Sequence, residues 1–390
     1  MKTLRDMDLR DKKVLVRVDF NVPVKNGEVS DDTRLSAHVP TINSILEQRP
    51  RSIILMSHLG RPKGAPDPDF SLKVVLPRLE KLLAQKVYFF EDCVGDNTKE
   101  GLENLPQGSI ALLENLRFHS EEKNNDANFA KQLASYGDVF IQDAFAVSHR
   151  AHASTAGIPA LLPSAAGFLI QKEVKYLSEL LKNPKKPFAA VLGGAKVSTK
   201  ISVMKSLLSK VDYLLVGGAM SYTFLKARGE NTGLSLVEDD FLEKAKEIAG
   251  AAGEKLLLPS DHVISKSFKE ALENSVSSAI PDGFYGVDIG PETVQKYSRI
   301  LKKAKTIFWN GPMGVFEVKE FAEGTKKIAE IIAESTKAGS VSVAGGGDSV
   351  SAINKTGVAD DFSHISTGGG ASLEFVEGRM LPGIEALKQE

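Results

Sequence analysis

AAVLGGAK (189–196), YLLVGGAM (213–220), SVAGGGDS (342–349) and HISTGGGAS (364–372) each run a short apolar stretch into two or three glycines. Buried strands that all end in glycine bring bare backbone to one edge of a sheet, where N–H groups and helix N-termini can face an anion. Such an edge suits a nucleotide. GGAKVSTK (193–200) adds Lys196 and Lys200, which share a face if the segment is helical; as a solvated surface pair they need no function. GGGDSV (345–350) sets Gly347, Asp348 and Ser349 at an expected helix start. There Asp348 is either a helix cap or, beside phosphates, a Mg²⁺ ligand. IFWNGPMGVFE (307–317) follows another expected strand, so Glu317 can meet ribose hydroxyls, and the sole tryptophan, Trp309, falls in an expected nucleotide loop.

Apolar, β-branched runs alternate with amphipathic stretches along the whole chain, the pattern of parallel α/β sheets. Strands are expected at Val14–Val18, Ile53–Met56, Val87–Phe90, Ile110–Leu113 and Val139–Ile141 in the first half. In the second half they are expected at Phe188–Leu192, Tyr213–Val216, Leu256–Leu258, Thr306–Trp309, Val341–Ala344 and His364–Ser366. Helices are expected at Thr33–Gln48, Leu72–Ala84, Asp239–Ala252 and Glu320–Lys337. GFLIQKEVKYLSELLK (167–182) reads as a long helix joining two sheets, which places a domain boundary there and makes the helix a hinge element.

The first half has no glycine set. Ligands of open parallel sheets lie beyond the carboxyl ends of the strands. Here the residues in that place are basic: Arg17, with Asp19 and Asn21, in VLVRVDFNVP (14–23); His58 and Arg61 in IILMSHLGRP (53–62); Arg117 in ALLENLRFH (111–119); and His149, Arg150 and His152 in VFIQDAFAVSHRAHAS (139–154). Arg34 opens the first expected helix. Guanidinium groups from several loops would repel one another at one edge unless an anion sits among them, and guanidinium matches phosphate and carboxylate bidentately. The expected ligand is a small, multiply charged anion, with Asp19 and Asn21 orienting its hydroxyl or the arginines. His119, His149 and His152 are read as supports that orient the cations.

At 390 residues the chain exceeds one ordinary core, since a domain takes roughly 150 residues. Lys plus Arg number 49 against 50 Asp plus Glu, a net charge of -1, which provides no field for nucleic acid or membrane. The N-terminus has no signal-peptide pattern, and the expected location is cytoplasmic. Cys93, the only cysteine, has neither metal-site nor thiol-protease spacing in the sequence and reads as an ordinary buried thiol. No GxxxxGK[ST] or GxGxxG follows a strand, which argues against a P-loop nucleotidase and a dinucleotide dehydrogenase.

With RVDFNVP, DDTRL, SHLGRP, ENLRFH, HRAHAST, LGGAKVSTK, WNGPMGVFE, GGGDS and STGGGASLE in this order, the chain strongly resembles the phosphoglycerate kinases from about Val14 to Gly383. The resemblance implies two Rossmann-like parallel-sheet domains joined by a hinge helix, with the substrate cleft between them. The first domain is then residues 1–168 with the C-terminal segment 373–390 packing back on it, and the second is 169–372. It implies a monomer that moves the acyl phosphoryl group of 1,3-bisphosphoglycerate to MgADP, giving 3-phosphoglycerate and MgATP, with no nucleic-acid or membrane partner. The implied phosphoglycerate contacts are Asp19, Asn21, Arg34, His58, Arg61, Arg117 and Arg150. The implied nucleotide contacts are Gly194, Lys200, Gly217, Gly218, Gly286, Asn310, Val315, Glu317 and Asp348, to which the glycine turn adds Gly347 and Ser349. Asp348 is the implied metal ligand. Ala146 stands where the family usually has glycine, which bears on the local loop shape.

Phosphoryl transfer asks the protein for alignment and charge neutralisation. No general base is needed, because the attacking oxygen is already ionised. Arg34 is expected to stabilise the group in flight from the acid's side and Lys200, or Lys196, from the nucleotide's, while domain closure excludes water. Gly217–Gly218 is expected to let the nucleotide's base approach, and Gly368–Gly370 to lie near the transferring phosphate.

Overall fold

The computed structural model describes residues 1–388, and the chain divides into two compact units: Met1–Lys175 with the residues from Met380 onward, and Tyr176–Arg379. The first cut passes through the helix Phe168–Lys182, later than the expected 168/169. The start of this helix is bound into the first unit: the Phe168 N–H donates to the Thr41 hydroxyl (3.0 Å) and the Leu169 N–H to the Asp143 carboxylate (2.9 Å). The second cut, at Arg379/Met380, likewise lies later than 372/373. The helix Gly370–Val376 stays with the second unit, where the Ser206 hydroxyl donates to the Val376 carbonyl (2.7 Å). Beyond it, Leu381, Ile384 and Leu387 are buried in the first unit and the Gly383 N–H donates to the Ser148 carbonyl (2.9 Å). Residues 389 and 390 of the expected C-terminal segment lie outside the described residues.

Each unit is built on a six-stranded, all-parallel sheet. The first runs Val87–Phe90, Ser109–Leu113, Ser52–Met56, Lys13–Arg17, Val139–Gln142, Ser164–Ala166. Side chains alternate faces along a strand. Val14, Val16, Ile53, Leu55, Ile110 and Leu112 enter one buried cluster, and Leu15, Ile54, Met56, Ala111 and Leu113 the other. Continuous apolar runs of this kind are what a sheet covered on both faces requires. The helix Thr33–Glu47 covers the first face through Leu35, Ile42 and Ile45, and runs through Pro40 on its exposed side.

The second sheet runs Leu256–Leu257, Tyr213–Val216, Phe188–Leu192, Thr306–Asn310, Val341–Ala344, His364–Ile365. Its order reverses between Phe188–Leu192 and Thr306–Asn310, and such a reversal opens a crevice beyond the strands' carboxyl ends. The strands read from the sequence are all present with small shifts at their ends. Three of the four helices start later than read: single 3₁₀ turns at Leu72–Val75, Asp239–Phe241 and Lys319–Phe321 precede the helices Leu76–Leu83, Leu242–Ala252 and Glu323–Lys337. An antiparallel sheet of Ser275–Ser277, His262–Ser265 and Tyr285–Ile289 was not evident in the sequence.

Candidate functional site

In the first unit the basic residues gather beyond the carboxyl ends of adjacent strands, but they divide into inward and outward sets. Arg17, the last residue of Lys13–Arg17, is fully buried and is no loop cation. Its Nε donates to the Ser154 hydroxyl (2.9 Å), which donates onward to Glu122 (2.6 Å), and its guanidinium also serves the Val18 carbonyl. A buried charge requires such partners. Burial pulls the Arg17 guanidinium down while Glu122 and Asp19 hold it up. Glu122 is itself fully buried, although HSEEKNN reads as a solvated helix face and carries no signal of this.

Asp19, nearly buried, accepts from Arg34 Nη1 at 2.6 Å and lies 3.8 Å from His58 Nδ1. Arg34 thus projects from the first turn of its helix with its guanidinium already held on a carboxylate and a third of its side chain exposed. The Asn21 carboxamide accepts from the Gly60 N–H (2.8 Å), and Arg117 Nη1 donates to the Gly60 carbonyl (2.8 Å). Asn21, His58 and Arg117 are therefore tied to one turn, on which Arg61 is exposed. Arg150 is exposed beside His149 (3.2 Å) and within electrostatic reach of Arg117. Burial, then Arg17 and Arg150, bring the Arg117 guanidinium down to about 10. Burial, followed by Arg17, Arg117 and Arg34, drives His58 well below the usual imidazole range, so it is neutral. Burial, followed by Arg17, Arg117 and Arg150, brings His152 to about 3. His119 orients no arginine: it pairs with Asp92 at 2.7 Å, and that bond raises it. Ala146 sits within the 3₁₀ turn Phe145–Val147 and has no left-handed backbone that would call for glycine.

Two further buried residues, His38 and Asp143, fix Asp19. The Asp19 N–H donates to His38 Nε2 (2.9 Å), so the ring proton is on Nδ1 and is donated to Asp143 (2.8 Å). In the sequence His38 is only an apolar-face histidine within a helix.

In the second unit the glycine turns pack against each other. The Gly193 N–H donates to the Asn310 carbonyl (2.9 Å), Gly194 to Pro312 (3.0 Å), Gly218 to Met313 (2.8 Å), and Met220 to the Gly194 carbonyl (3.0 Å). A Cβ on Gly193 would stand 2.1 Å from the Pro312 carbonyl oxygen, and one on Gly218 would stand 2.6 Å from the Gly194 nitrogen. The missing side chains of Gly193, Gly217 and Gly218 therefore serve contact between loops. Gly286 is likewise filled: a Cβ there would lie 2.4 Å from the ring of the buried Tyr222. Only open space faces Gly194, Gly347 and Gly369.

Around Gly194 and Gly347 stand the polar groups. The segment 194–200 is irregular and the helix begins at Ile201, so Lys196 and Lys200 do not share a helical face. Lys196 is exposed; Lys200 is half-buried, its ammonium donates to the Asn310 carboxamide, and burial pulls it down while Asp348 holds it up. Asn310 in turn donates to the Gly345 carbonyl (2.5 Å). Asp348 is exposed in the first turn of the helix Gly347–Thr356, where Gly346 is the cap. Ser349 turns inward: its hydroxyl accepts from the Gly311 N–H (2.6 Å) and donates to the Gly345 carbonyl (2.9 Å). Val315 is half-buried, bonded to the Val287 carbonyl (2.8 Å), and Glu317 is exposed two residues on. Trp309 lies in a strand and not in a loop, fully buried against Phe362.

A family model for phosphoglycerate kinase matches residues 4–379. The chain belongs to the phosphoglycerate kinase family. It is 52% identical over 390 residues to the phosphoglycerate kinase of Rubrobacter xylanophilus, covering 100% of this chain and 98% of that one. It is 51% identical to the cytosolic phosphoglycerate kinase of Triticum aestivum, covering 99% and 98%. The phosphoglycerate kinase structure from Coxiella burnetii superposes with a TM-score of 0.89 at 41% identity, over 99% of this chain and 98% of that one. The chain is thus a phosphotransferase of the glycolytic family, and among its described residues no helix is long and apolar enough to cross a membrane.

Three outcomes follow from this geometry. Gly311 has φ +93° and a Cβ would stand 2.2 Å from the Gly193 carbonyl oxygen. Gly311→Ala should therefore lose at least about 1–3 kcal/mol in urea unfolding. In an NMR titration of the histidine rings, His152 should titrate near 3 and His119 above 6.5. Because His58 and His152 are depressed in the native state, protons bind the unfolded chain first, and stability should fall as pH drops below about 6.5.

Proposed function

We propose that the chain transfers a phosphoryl group between the acyl phosphate of 1,3-bisphosphoglycerate and MgADP, the first unit binding the acid and the second the nucleotide. The observation that carries this reading is the Asp19–Arg34 pair standing beside neutral His58 and the buried Arg117. Several guanidinium groups converge there with one nearby carboxylate at the edge, which favours a multiply charged anion over a neutral ligand. Arg61 and Arg150, both exposed, extend the same set toward the anion's phosphate.

On the nucleotide side, Gly194 and Gly347 supply open backbone, Lys200 meets phosphate oxygens, and Glu317 accepts from ribose hydroxyls. Lys200 is favoured over Lys196 because it shares its surroundings with Asp348 and is held on Asn310. The exposed Asp348 carboxylate, at a helix N-terminus beside a lysine, fits the one-carboxylate environment that Mg²⁺ shares with phosphate. Bound there, Mg²⁺ would neutralise charge on the phosphate oxygens. The attacking oxygen is an ionised carboxylate or phosphate, so the chain's own work is to hold, align and neutralise. Arg34 faces the transferring group from the acid's side and Lys200 from the nucleotide's. The reading requires motion that brings ligands on separate units into line, and it takes the protein as a monomer.

ATP-dependent phosphorylation of 3-phosphoglycerate, followed by a coupled assay, tests the reaction. Arg34→Ala should lower turnover by about 10³-fold with the fold intact by circular dichroism, and near-normal turnover removes its role. Asp348→Ala should shift the Mg²⁺ titration of activity to higher concentration; an unchanged titration shows that the metal is held elsewhere.

A further inference from the structure

The only thiol of the chain lies in company that its sequence position conceals. Asp92 and Cys93 follow the strand Val87–Phe90, and His119 follows the 3₁₀ turn Leu116–Phe118 that ends the neighbouring strand's loop. The two strands pair in parallel, so both loops emerge at the same sheet edge. A carboxylate oxygen of Asp92, the Cys93 sulfur and a ring nitrogen of His119 all lie within 4.8 Å of one another.

We propose that Asp92, Cys93 and His119 form a binding site for a divalent cation of the zinc class, separate from the nucleotide's Mg²⁺. Three features carry this. The donor set is sulfur, nitrogen and oxygen, which suits zinc-class ions, whereas Mg²⁺ takes oxygens and keeps its waters. Thiolate and carboxylate together cancel the ion's two charges while the imidazole binds neutral. The donors are also placed in advance: His119 and Asp92 already meet at 2.7 Å, and the Asp92 oxygen accepts the Cys93 N–H at 2.6 Å. Zinc–ligand distances of about 2.0–2.3 Å put tetrahedral donors roughly 3.3–3.8 Å apart, so small side-chain rotations close the set.

Access is graded. Cys93 is buried, but the Asp92 side chain is 54% exposed and that of His119 28%, so an ion arrives through the outer two ligands and reaches sulfur last. The His119–Asp92 hydrogen bond then opens, the ring binds through its unprotonated nitrogen, and the Cys93 S–H is replaced by S–metal, its proton passing to solvent and water completing the coordination. Occupancy would pin the turn that carries Arg117, two residues before His119, to the loop after Val87–Phe90.

Cobalt(II) added to the full-length protein under a non-thiol reductant reads the site directly. Since the chain has one cysteine, a thiolate-to-cobalt absorption band can come from Cys93 alone. One equivalent should produce this band together with tetrahedral visible absorption; zinc should displace it and excess Mg²⁺ should not. Cys93→Ala should abolish the band. His119→Gln, at a partly exposed ring, should keep the fold and weaken cobalt binding at least about tenfold. Absence of the band at saturating cobalt, or unchanged affinity in His119→Gln, overturns the proposal and leaves His119–Asp92 a plain ion pair.

Discussion

The second unit depends on how closely its backbone approaches itself where the strand order reverses. Phe188–Leu192 and Thr306–Asn310 are neighbours there, and the loops leaving them and the strand Tyr213–Val216 interlock through Gly193, Gly194, Gly218 and the carbonyls of Pro312 and Met313. Any side chain at Gly193 or Gly311 would enter the other's peptide group. The interlock commits the Gly193, Gly194 and Gly218 amides to carbonyls, while a Cβ on Gly194 or Gly347 would meet only open space. It also positions Lys200. Asn310 ends the strand, donates to the Gly345 carbonyl and accepts from Lys200, so one side chain links Lys200 to the Gly345 turn.

The first unit solves a different problem, the concentration of positive charge. Like charges a few ångströms apart at an effective dielectric near 20 repel by several kcal/mol, enough to destabilise a loop cluster without compensation. Two devices limit that repulsion. Arg17 is withdrawn into the interior and bound through Ser154 to Glu122, so its charge is answered away from the edge. His58, pressed between arginines and buried, stays neutral and adds none. What remains exposed at the edge is a set of guanidinium groups, those of Arg61 and Arg150 among them.

The legible part of the sequence was what depends on period and punctuation. Runs such as Ile53–Met56 and Tyr213–Val216 are buried on both faces and bounded by turns, so their strands could be read. The sheet His262–Ser265, Ser275–Ser277 and Tyr285–Ile289 could not: Ser275 and Val276 are exposed and the strands are short and polar, without a one-sided pattern. The polar residues gathered at the strand ends were legible because a parallel sheet brings the loops after its strands to one edge. Their supports were not, since Glu122, His38 and Asp143 owe their roles to partners 32, 19 and 26 residues away or more. Spacing misled for Lys196 and Lys200, because the helix that would align them starts only after Lys200. It misled for Trp309 too, because its indole N–H serves the Gly311 carbonyl (2.8 Å) from inside the core.

Asp143 shows how such hidden partners tie a site to its scaffold. One of its oxygens accepts the His38 ring proton, which fixes the tautomer that receives the Asp19 N–H; the other accepts the N–H of Leu169 at the start of the helix Phe168–Lys182. That amide belongs to the first helical turn and has no partner within the helix. A single buried carboxylate therefore satisfies the helix start and sets the backbone of the residue that holds Arg34. The absent side chain of Gly167 permits this, since a Cβ there would stand 2.2 Å from the Asp143 carboxylate oxygen. The position of Arg34 and the docking of the helix are thus two consequences of one carboxylate's hydrogen bonds, and neither can shift without disturbing the other's.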